Sequence, residues 1–302
     1  MQNTTQKIIA AASQVILGKE QQIKLSLACI LARGHLLIED MPGMGKTTLA
    51  HTMAQALGLN FSRIQFTSDL LPADVIGVSV YDRNTATFKF HPGPIFTNVL
   101  LADEVNRATP KTQSALLEVM EEGQITLDGE TRKLPHPFFV IATQNPTHHI
   151  GTFPLPESQL DRFLMRIELG YPDAASERAL LMNQGGRNGS LVEACIDADG
   201  LIKLQQAVDL IHVSNALLDY LQALLQYSRT SSRYIAGLSP RAGLALRQCT
   251  QAWALIHGRD YVLPEDIQAV LPSVVGHRLQ AASNAESIGD SALHLLNAVA
   301  IP

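Results

Sequence analysis

The sequence predicts an α/β region built on a parallel sheet, followed by an all-helical region. Three observations carry that class. Short apolar runs alternate with helical segments in the first half, most of those runs are continuous, and no strand-like run occurs after Tyr171-Pro172. Continuous apolar strands belong in a parallel sheet covered on both faces. Strands that alternate with helices connect by right-handed crossovers. The boundary is therefore placed between residues 1–171 and residues 172–302.

The elements follow in order. "HLLIE" (35–39) is the first strand, and a helix from Thr47 to Leu57 carries Leu49, Met53 and Leu57 four residues apart before Gly58 stops it. "SRIQF" (62–66), "NVLLA" (98–102), "PFFVIA" (137–142) and "FLMRIEL" (163–169) supply four more strands. In "TPKTQSALLEVMEEG", Thr109 suits a helix cap, Pro110 the first turn and Gly123 the exit. Two hairpins interrupt the alternation. "VSVYDRNTATFKF" (78–90) alternates on both sides of a polar tip, and "ITLDGETRKL" (125–134) turns at Asp128-Gly129. Beyond residue 172, "SNALLDYLQALLQYSR", "SPRAGLALRQCTQAWALIHG" and "LPEDIQAVL" read as helices, the second capped by Ser239 and Pro240 and ended by Gly258. "NQGGRNGS" (183–190) reads as a solvated loop.

Composition bounds the function. A chain of 302 residues with 46% hydrophobic and 17% charged residues is that of a globular protein with a sizeable core. Its net charge of −5 supplies no basic field for nucleic acid or an anionic membrane. Cys29, Cys195 and Cys249 lie far apart without a C-x-x-C pair, so reduced thiols in a packed interior are expected rather than a disulfide or metal site. The N-terminus lacks a signal pattern and no apolar run spans a bilayer. A cytoplasmic protein with no integral membrane segment is expected. The histidines, including His148-His149, have no ligand spacing and read as solvated loop residues.

The chemistry starts at "DMPGMGKTT" (40–48), which has Asp40 where a phosphate loop usually begins with glycine. Its placement, after a strand and opening a helix, is the context such a loop requires. Gly43 and Gly45 let successive N–H groups face an anion, and the helix N-terminus adds partial positive charge. Lys46 would reach the β- and γ-phosphates and the Thr47 hydroxyl would take a position on Mg²⁺. The Asp40 side chain is expected to point away from the phosphates. In "NVLLADEVNR", Asp103 and Glu104 fall at the carboxyl end of a buried strand, where ligands bind in an open α/β sheet. Asp103 would hold Mg²⁺ through water and Glu104 would polarise the attacking water. Asn145 ends another strand at the same place and could orient that water. Arg162 in "LPESQLDRF" and Arg241 in "LSPRAG" offer planar, permanent charges suited to phosphate oxygens.

Taken together, the chain resembles an AAA+ ATPase, and more narrowly the MoxR family, over nearly its whole length. The resemblance rests on "PGMGKTT", "GPIFTNVLLADEVNRATPKTQSALLEVMEE", "QITLDGETRKLP", "FFVIATQNP", "LPESQLDRF" and "LSPRAG" in that order. It implies a P-loop AAA+ core and a helical lid. The ATP-binding segment is then Pro42, Gly43, Met44, Gly45, Lys46, Thr47 and Thr48. Asp103 and Glu104 become Walker B and Asn145 becomes sensor 1. Arg162 becomes the finger that reaches a neighbouring subunit's nucleotide, and Arg241 becomes sensor 2, gripping the nucleotide from the lid. "VILGKE" (15–20) resembles the stretch that brackets adenine, which points to Leu17 and Gly18. The two hairpins would face the pore of a ring, expected to be a hexamer, with Thr131, Arg132 and Lys133 exposed there. Relatives work with partners bearing von Willebrand factor A domains and act on protein clients, in maturation or metal-cofactor insertion. With a chain ending soon after its lid, the client is expected to be recognised by the core, the lid or a separate adaptor. A nucleic-acid motor is the competing reading, disfavoured by the net charge and by a single basic pair, Arg132-Lys133. A scaffold that binds nucleotide without hydrolysing it fits the complete residue set least.

Overall fold

All five apolar runs of the first half become strands of one sheet in a computed structural model of the chain, which describes residues 2–145, 151–182, 192–282 and 288–301. The loop expected at 183–190 and the His148-His149 pair lie outside those residues. The strands of the sheet are β1 (Leu36–Glu39), β2 (Phe61–Gln65), β5 (Val99–Asp103), β8 (Phe139–Gln144) and β9 (Met165–Ile167), in the order β2-β5-β8-β1-β9. Every pairing is parallel. The central strands β1, β5 and β8 are buried almost throughout, as their continuous apolar sequences require. β2 differs because it lies at the side of the sheet. Its polar residues Arg63 and Gln65 alternate with Ile64, so period two puts both on one face.

The expected hairpins form as separate two-stranded sheets, β3 (Gly77–Asp82) with β4 (Thr87–Pro92) and β6 (Gln124–Leu127) with β7 (Glu130–Lys133). They touch each other: the Arg132 guanidinium lies 4.3 Å from the centre of the Phe90 ring. The expectation of an exposed Arg132 is corrected accordingly. It is half-buried against Phe90 and bonded to Glu130, while Thr131 and Lys133 are exposed.

Twelve α-helices are described: α1 (Gln2–Ser13), α2 (Glu20–Leu31), α3 (Lys46–Ala56), α4 (Pro72–Ile76), α5 (Pro110–Glu122), α6 (Glu157–Leu160), α7 (Ala174–Met182), α8 (Ala198–Asp209), α9 (Asn215–Thr230), α10 (Pro240–Ile256), α11 (Pro264–Val275) and α12 (Ile288–Ala298). α5 starts at Pro110 and exits through Gly123 at φ 62°. Thr109 occupies the cap position, but its hydroxyl meets that of Thr112 at 3.3 Å instead of a backbone N–H. At α10, Ser239 does cap, accepting the Ala242 N–H at 3.2 Å. No helix among the described residues is long and apolar enough to cross a membrane.

Alternation along the strands divides the apolar core in two. Leu36, Ile38, Leu101 and Ile141 face one cluster, and Leu37, Leu100, Ala102 and Val140 face the other. α5 and the hairpins cover the second face. The first face is covered by α1, α2 and α3, and the same apolar cluster runs on through α8, α10 and α11. Packing therefore does not divide at residue 171, although only helices and isolated bridges are described beyond β9.

Two histidines depart from the solvated loops expected of them. His35 is half-buried at the start of β1, where its Nδ1 accepts the Val140 N–H at 2.9 Å and its Nε2 donates to the Met120 carbonyl at 3.0 Å. Burial pushes its pKa down to about 4. His277 is buried, against the Phe163 carbonyl, and desolvation holds its pKa well below the ordinary range. Cys29 and Cys249 are buried free thiols, as expected, but Cys195 is half-exposed.

Candidate functional site

Because all five strands run the same way, the sheet has one carboxyl end and one amino end. The carboxyl end gathers the loop after β1, the acids after β5 and the asparagine after β8. A cavity of about 350 Å³ opens there, lined by Pro42, Gly43, Gly45, Lys46, Thr47 and Thr48 together with Arg63, Gln65, Asp103, Glu104 and Asn145. Gly43 and Gly45 hold φ of 85° and 89°, left-handed values that strain any residue with a Cβ. Gly45 caps α3, so the free N–H groups and positive pole of that helix point into the cavity. Met44 does not line it; its side chain packs on the apolar core.

Lys46 is 8% exposed, and its ammonium donates to the carbonyls of Asp40 and Met41 and to Asn145 Oδ1 at 3.2 Å. Burial holds its pKa below the ordinary lysine range, while Asp40, Asp103, Glu104 and Glu39 oppose that shift. A desolvated ammonium satisfied only by neutral oxygens fits a phosphate as its partner. Asn145 joins the two charged groups, since its Nδ2 also donates to Glu104 Oε1 at 3.1 Å.

The acids are fixed from several sides. Asp103 Oδ1 accepts the Thr143 hydroxyl at 2.6 Å, and its Oδ2 takes Arg63 Nη2 at 2.7 Å and Nε at 3.1 Å. Thr47 Oγ1 stands 3.4 Å from the same oxygen. Glu104 adopts φ 56°, uncommon for a residue with a Cβ, and its N–H donates to the Thr143 hydroxyl at 2.8 Å. Its Oε2 accepts from Gln65 and from Arg107, each at 3.0 Å. A hydroxyl beside a carboxylate, with a helix N-terminus adjoining, fits a hard divalent cation and the phosphates it would accompany.

Asp40 points away from this cavity. Its Oδ2 accepts the backbone N–H groups of Leu169 and Gly170, both at 2.7 Å, and its Oδ1 accepts its own neighbour Met41 N–H at 2.8 Å. An aspartate at the first loop position thus ties the loop to the end of β9. Leu17 and Gly18 do not line the cavity. Leu17 is half-buried, and a Cβ on Gly18 would meet Ser176 Oγ at 2.4 Å and Asp173 Oδ2 at 2.8 Å, which places this turn against the start of α7.

Arg162 and Arg241 lie elsewhere. Arg162 donates to the Leu117 carbonyl at 2.7 Å and pairs with Glu121 at 2.8 Å, and Arg241 reaches the same carboxylate at 3.3 Å. Both line a cleft of about 220 Å³ with Gly34, His35 and Leu164, the residues that lead into β1 and β9 at the amino end of the sheet. The placement of Arg241 over its own chain's phosphate loop is therefore corrected. α10 packs on α2, so its first turn sits over the connection from α2 to β1, at the opposite end of β1 from the loop.

Sequence reasoning missed Arg63, Gln65, Thr143, Arg107 and Glu121. Arg63 and Gln65 had a usable signal, two long polar side chains at period two on either side of Ile64. Thr143 was a lone hydroxyl before Asn145, and nothing local marked Glu121.

Comparison with known proteins agrees with this geometry. Residues 35–165 match the model of the ATPase family associated with various cellular activities (AAA), and residues 226–293 match an AAA lid domain. The chain is 44% identical to the uncharacterised protein YeaC of Bacillus subtilis, over 98% of this chain and 94% of that protein. It is 40% identical to the chaperone MoxR1 of Mycobacterium tuberculosis, over 92% of this chain and 76% of that one. A crystal structure of a candidate ATPase from Cytophaga hutchinsonii superposes with a TM-score of 0.91 at 36% identity, covering 100% of this chain and 96% of the other. With a phosphate loop and its acids converging at one end of a five-stranded parallel sheet, and relatives of this identity along its length, the chain belongs to the MoxR family of AAA+ ATPases.

Proposed function

We propose that the chain hydrolyses ATP at a site completed by two copies of itself, and uses the resulting motion to remodel a client protein. One observation carries the reading: phosphate-binding groups gather at the carboxyl end of the sheet, while Arg162 and Arg241 sit together at the amino end. A ring, a hexamer in this reading, would bring the amino end of one copy to the carboxyl end of the next. Both arginines would then act in trans.

Within one copy, Lys46 and the N–H groups around Gly43 and Gly45 hold the phosphates. Thr47 and Asp103 would hold Mg²⁺, whose chemistry when bound is to neutralise phosphate charge and polarise the γ-phosphoryl group. Glu104 takes the proton from the attacking water, and Asn145 positions that carboxylate while contacting Lys46. Gln65 and Arg107 hold its other oxygen. Arg162 and Arg241 of the neighbour stabilise the charge that develops on the γ-phosphate. Leu17 and Gly18 would flank adenine, which asks for movement of the 171–176 stretch that now packs against them.

The first hairpin favours a protein client. Val80, Tyr81 and Phe88 are exposed, Phe88 at 73%; Tyr81 and Phe88 stack as a cross-strand pair on one face of the hairpin and Val80 lies on the other. The net charge of −5 speaks against nucleic acid. An adaptor with a von Willebrand factor A domain, and work in the cytoplasm on maturation or metal insertion, complete the proposal by family resemblance.

Mixing tests the shared site. Arg162→Ala should bind ATP yet turn over about 10³–10⁵ times more slowly, and Lys46→Ala should fail to bind. Mixing the two should recover part of the rate. Absence of recovery in demonstrated mixed assemblies would overturn the trans assignment.

A further inference from the structure

We propose that Glu121 is the resting partner of Arg162 and Arg241, a carboxylate that occupies both guanidinium groups until a neighbouring copy's γ-phosphate displaces it. The inference rests on the shared-site reading above and adds a competitor to it.

The geometry is specific. Each oxygen of Glu121 takes one arginine, Oε2 at 2.8 Å from Arg162 and Oε1 at 3.3 Å from Arg241, and the two arginines come from distant parts of the chain. The other charged groups of the cleft are already matched: Arg33 pairs with Asp209 at 2.7 Å and Arg278 with Asp161 at 2.6 Å. His35 adds no charge near neutral pH. That leaves one carboxylate facing two guanidinium groups, a local excess of positive charge. A terminal phosphate, with three oxygens and up to two charges, matches two forks better than one carboxylate does.

Position adds a second reason. Glu121 stands in the last turn of α5, where the helix dipole disfavours a carboxylate. The two arginines offset that penalty, so their departure leaves Glu121 in an unfavourable place and draws them back after phosphate release. The pairs are also open enough to exchange. Side chains of Glu121, Arg162 and Arg241 are 41%, 31% and 53% exposed. Ion pairs of that exposure are weak and screened by salt. A buried pair would hold the arginines too firmly to release them.

Glu121→Gln keeps the shape and removes the charge, on a half-open helix surface. The experiment follows specific ATPase activity of the full chain against protein concentration, with assembly checked by sedimentation in ATP. The half-maximal concentration should fall about threefold to tenfold relative to the unsubstituted chain. The double variant Glu121→Gln with Arg162→Ala, read by sedimentation, should show a smaller shift than Glu121→Gln alone. An unchanged midpoint would overturn the proposal. So would a plateau rate as low as that of Arg162→Ala, because Glu121 would then position the finger and not compete for it. Normal turnover by Arg162→Ala would instead sink the shared-site reading, whatever Glu121→Gln does.

Discussion

The two ends of the sheet are built differently. At the carboxyl end, side chains from β2, β5, β8 and the loop after β1 close on one cavity, and each acid is held by at least two partners. At the amino end, two arginines rest on one half-exposed carboxylate of the same chain. In the proposed function the first end holds the phosphates with its own residues. At the second end, Arg162 and Arg241 share one carboxylate, Glu121, among the described residues. A parallel sheet makes such a split natural, because a strand's two ends are far apart in one copy yet would adjoin between neighbouring copies of the proposed ring.

The sharpest way to break this comparison is to disable chemistry at the carboxyl end while leaving binding intact. Glu104→Gln should lower turnover by about 10²–10⁴, the usual contribution of a positioned general base. ATP binding, measured at equilibrium with a fluorescent analogue, should persist, because Lys46 and the loop backbone do not depend on that charge. Loss of binding and turnover together would mean that Glu104 organises the cavity and does not act on water.

Legibility in the sequence follows the same division. Residues that serve the carboxyl end sit within a few positions of a strand's end, so a continuous apolar run followed by "DE" or "QN" announces them. The five strands were readable as short apolar runs, and the two hairpins from alternation about a polar tip or an Asp-Gly turn. The amino end is assembled by tertiary packing of α10 on α2, and no local pattern records which helix a lid segment will meet. Arg241 was therefore recognisable as an arginine at a helix start but not placeable. Arg132 illustrates the same limit, since its stack on Phe90 joins two hairpins that are distant in the chain. His35 and His277 read as loop residues because single histidines carry no periodic signal, and only the carbonyls around them make burial tolerable.

A smaller effect sharpens the role of Asp40. Restoring the usual glycine would leave the N–H groups of Leu169 and Gly170 without an acceptor beside Leu169, a residue 2% exposed. Unsatisfied buried donors cost about 1–3 kcal/mol each. Asp40→Gly should therefore destabilise the fold by about 2 kcal/mol and lower Tm by about 3 °C. Thermal unfolding followed by calorimetry checks it. A variant as stable as the parent would show that water replaces the carboxylate and that the loop is not tied to β9.

The smallest effect expected is at the amino end and depends on pH. His35 is pinned between the Met120 carbonyl and the Val140 N–H, and it supports the last turn of α5 from which Glu121 projects. Burial lowers its pKa to about 4 from an ordinary value near 6.5. For a base whose folded pKa is depressed, the unfolded chain takes up the proton first. The stability that neutral His35 supplies is thus fully present above pH 6.5 and is lost as pH falls toward 4. Between pH 6.5 and 5.5 the loss from this group is about 1 kcal/mol, and His277 acts in the same direction. Denaturant midpoints across that interval should fall with decreasing pH, and His35→Gln, though less stable at pH 7.5, should show a flatter profile. Equal slopes in the two proteins would mean that the ring is protonated within the fold, its bond to Val140 given up. The amino end would then loosen in acid through this histidine.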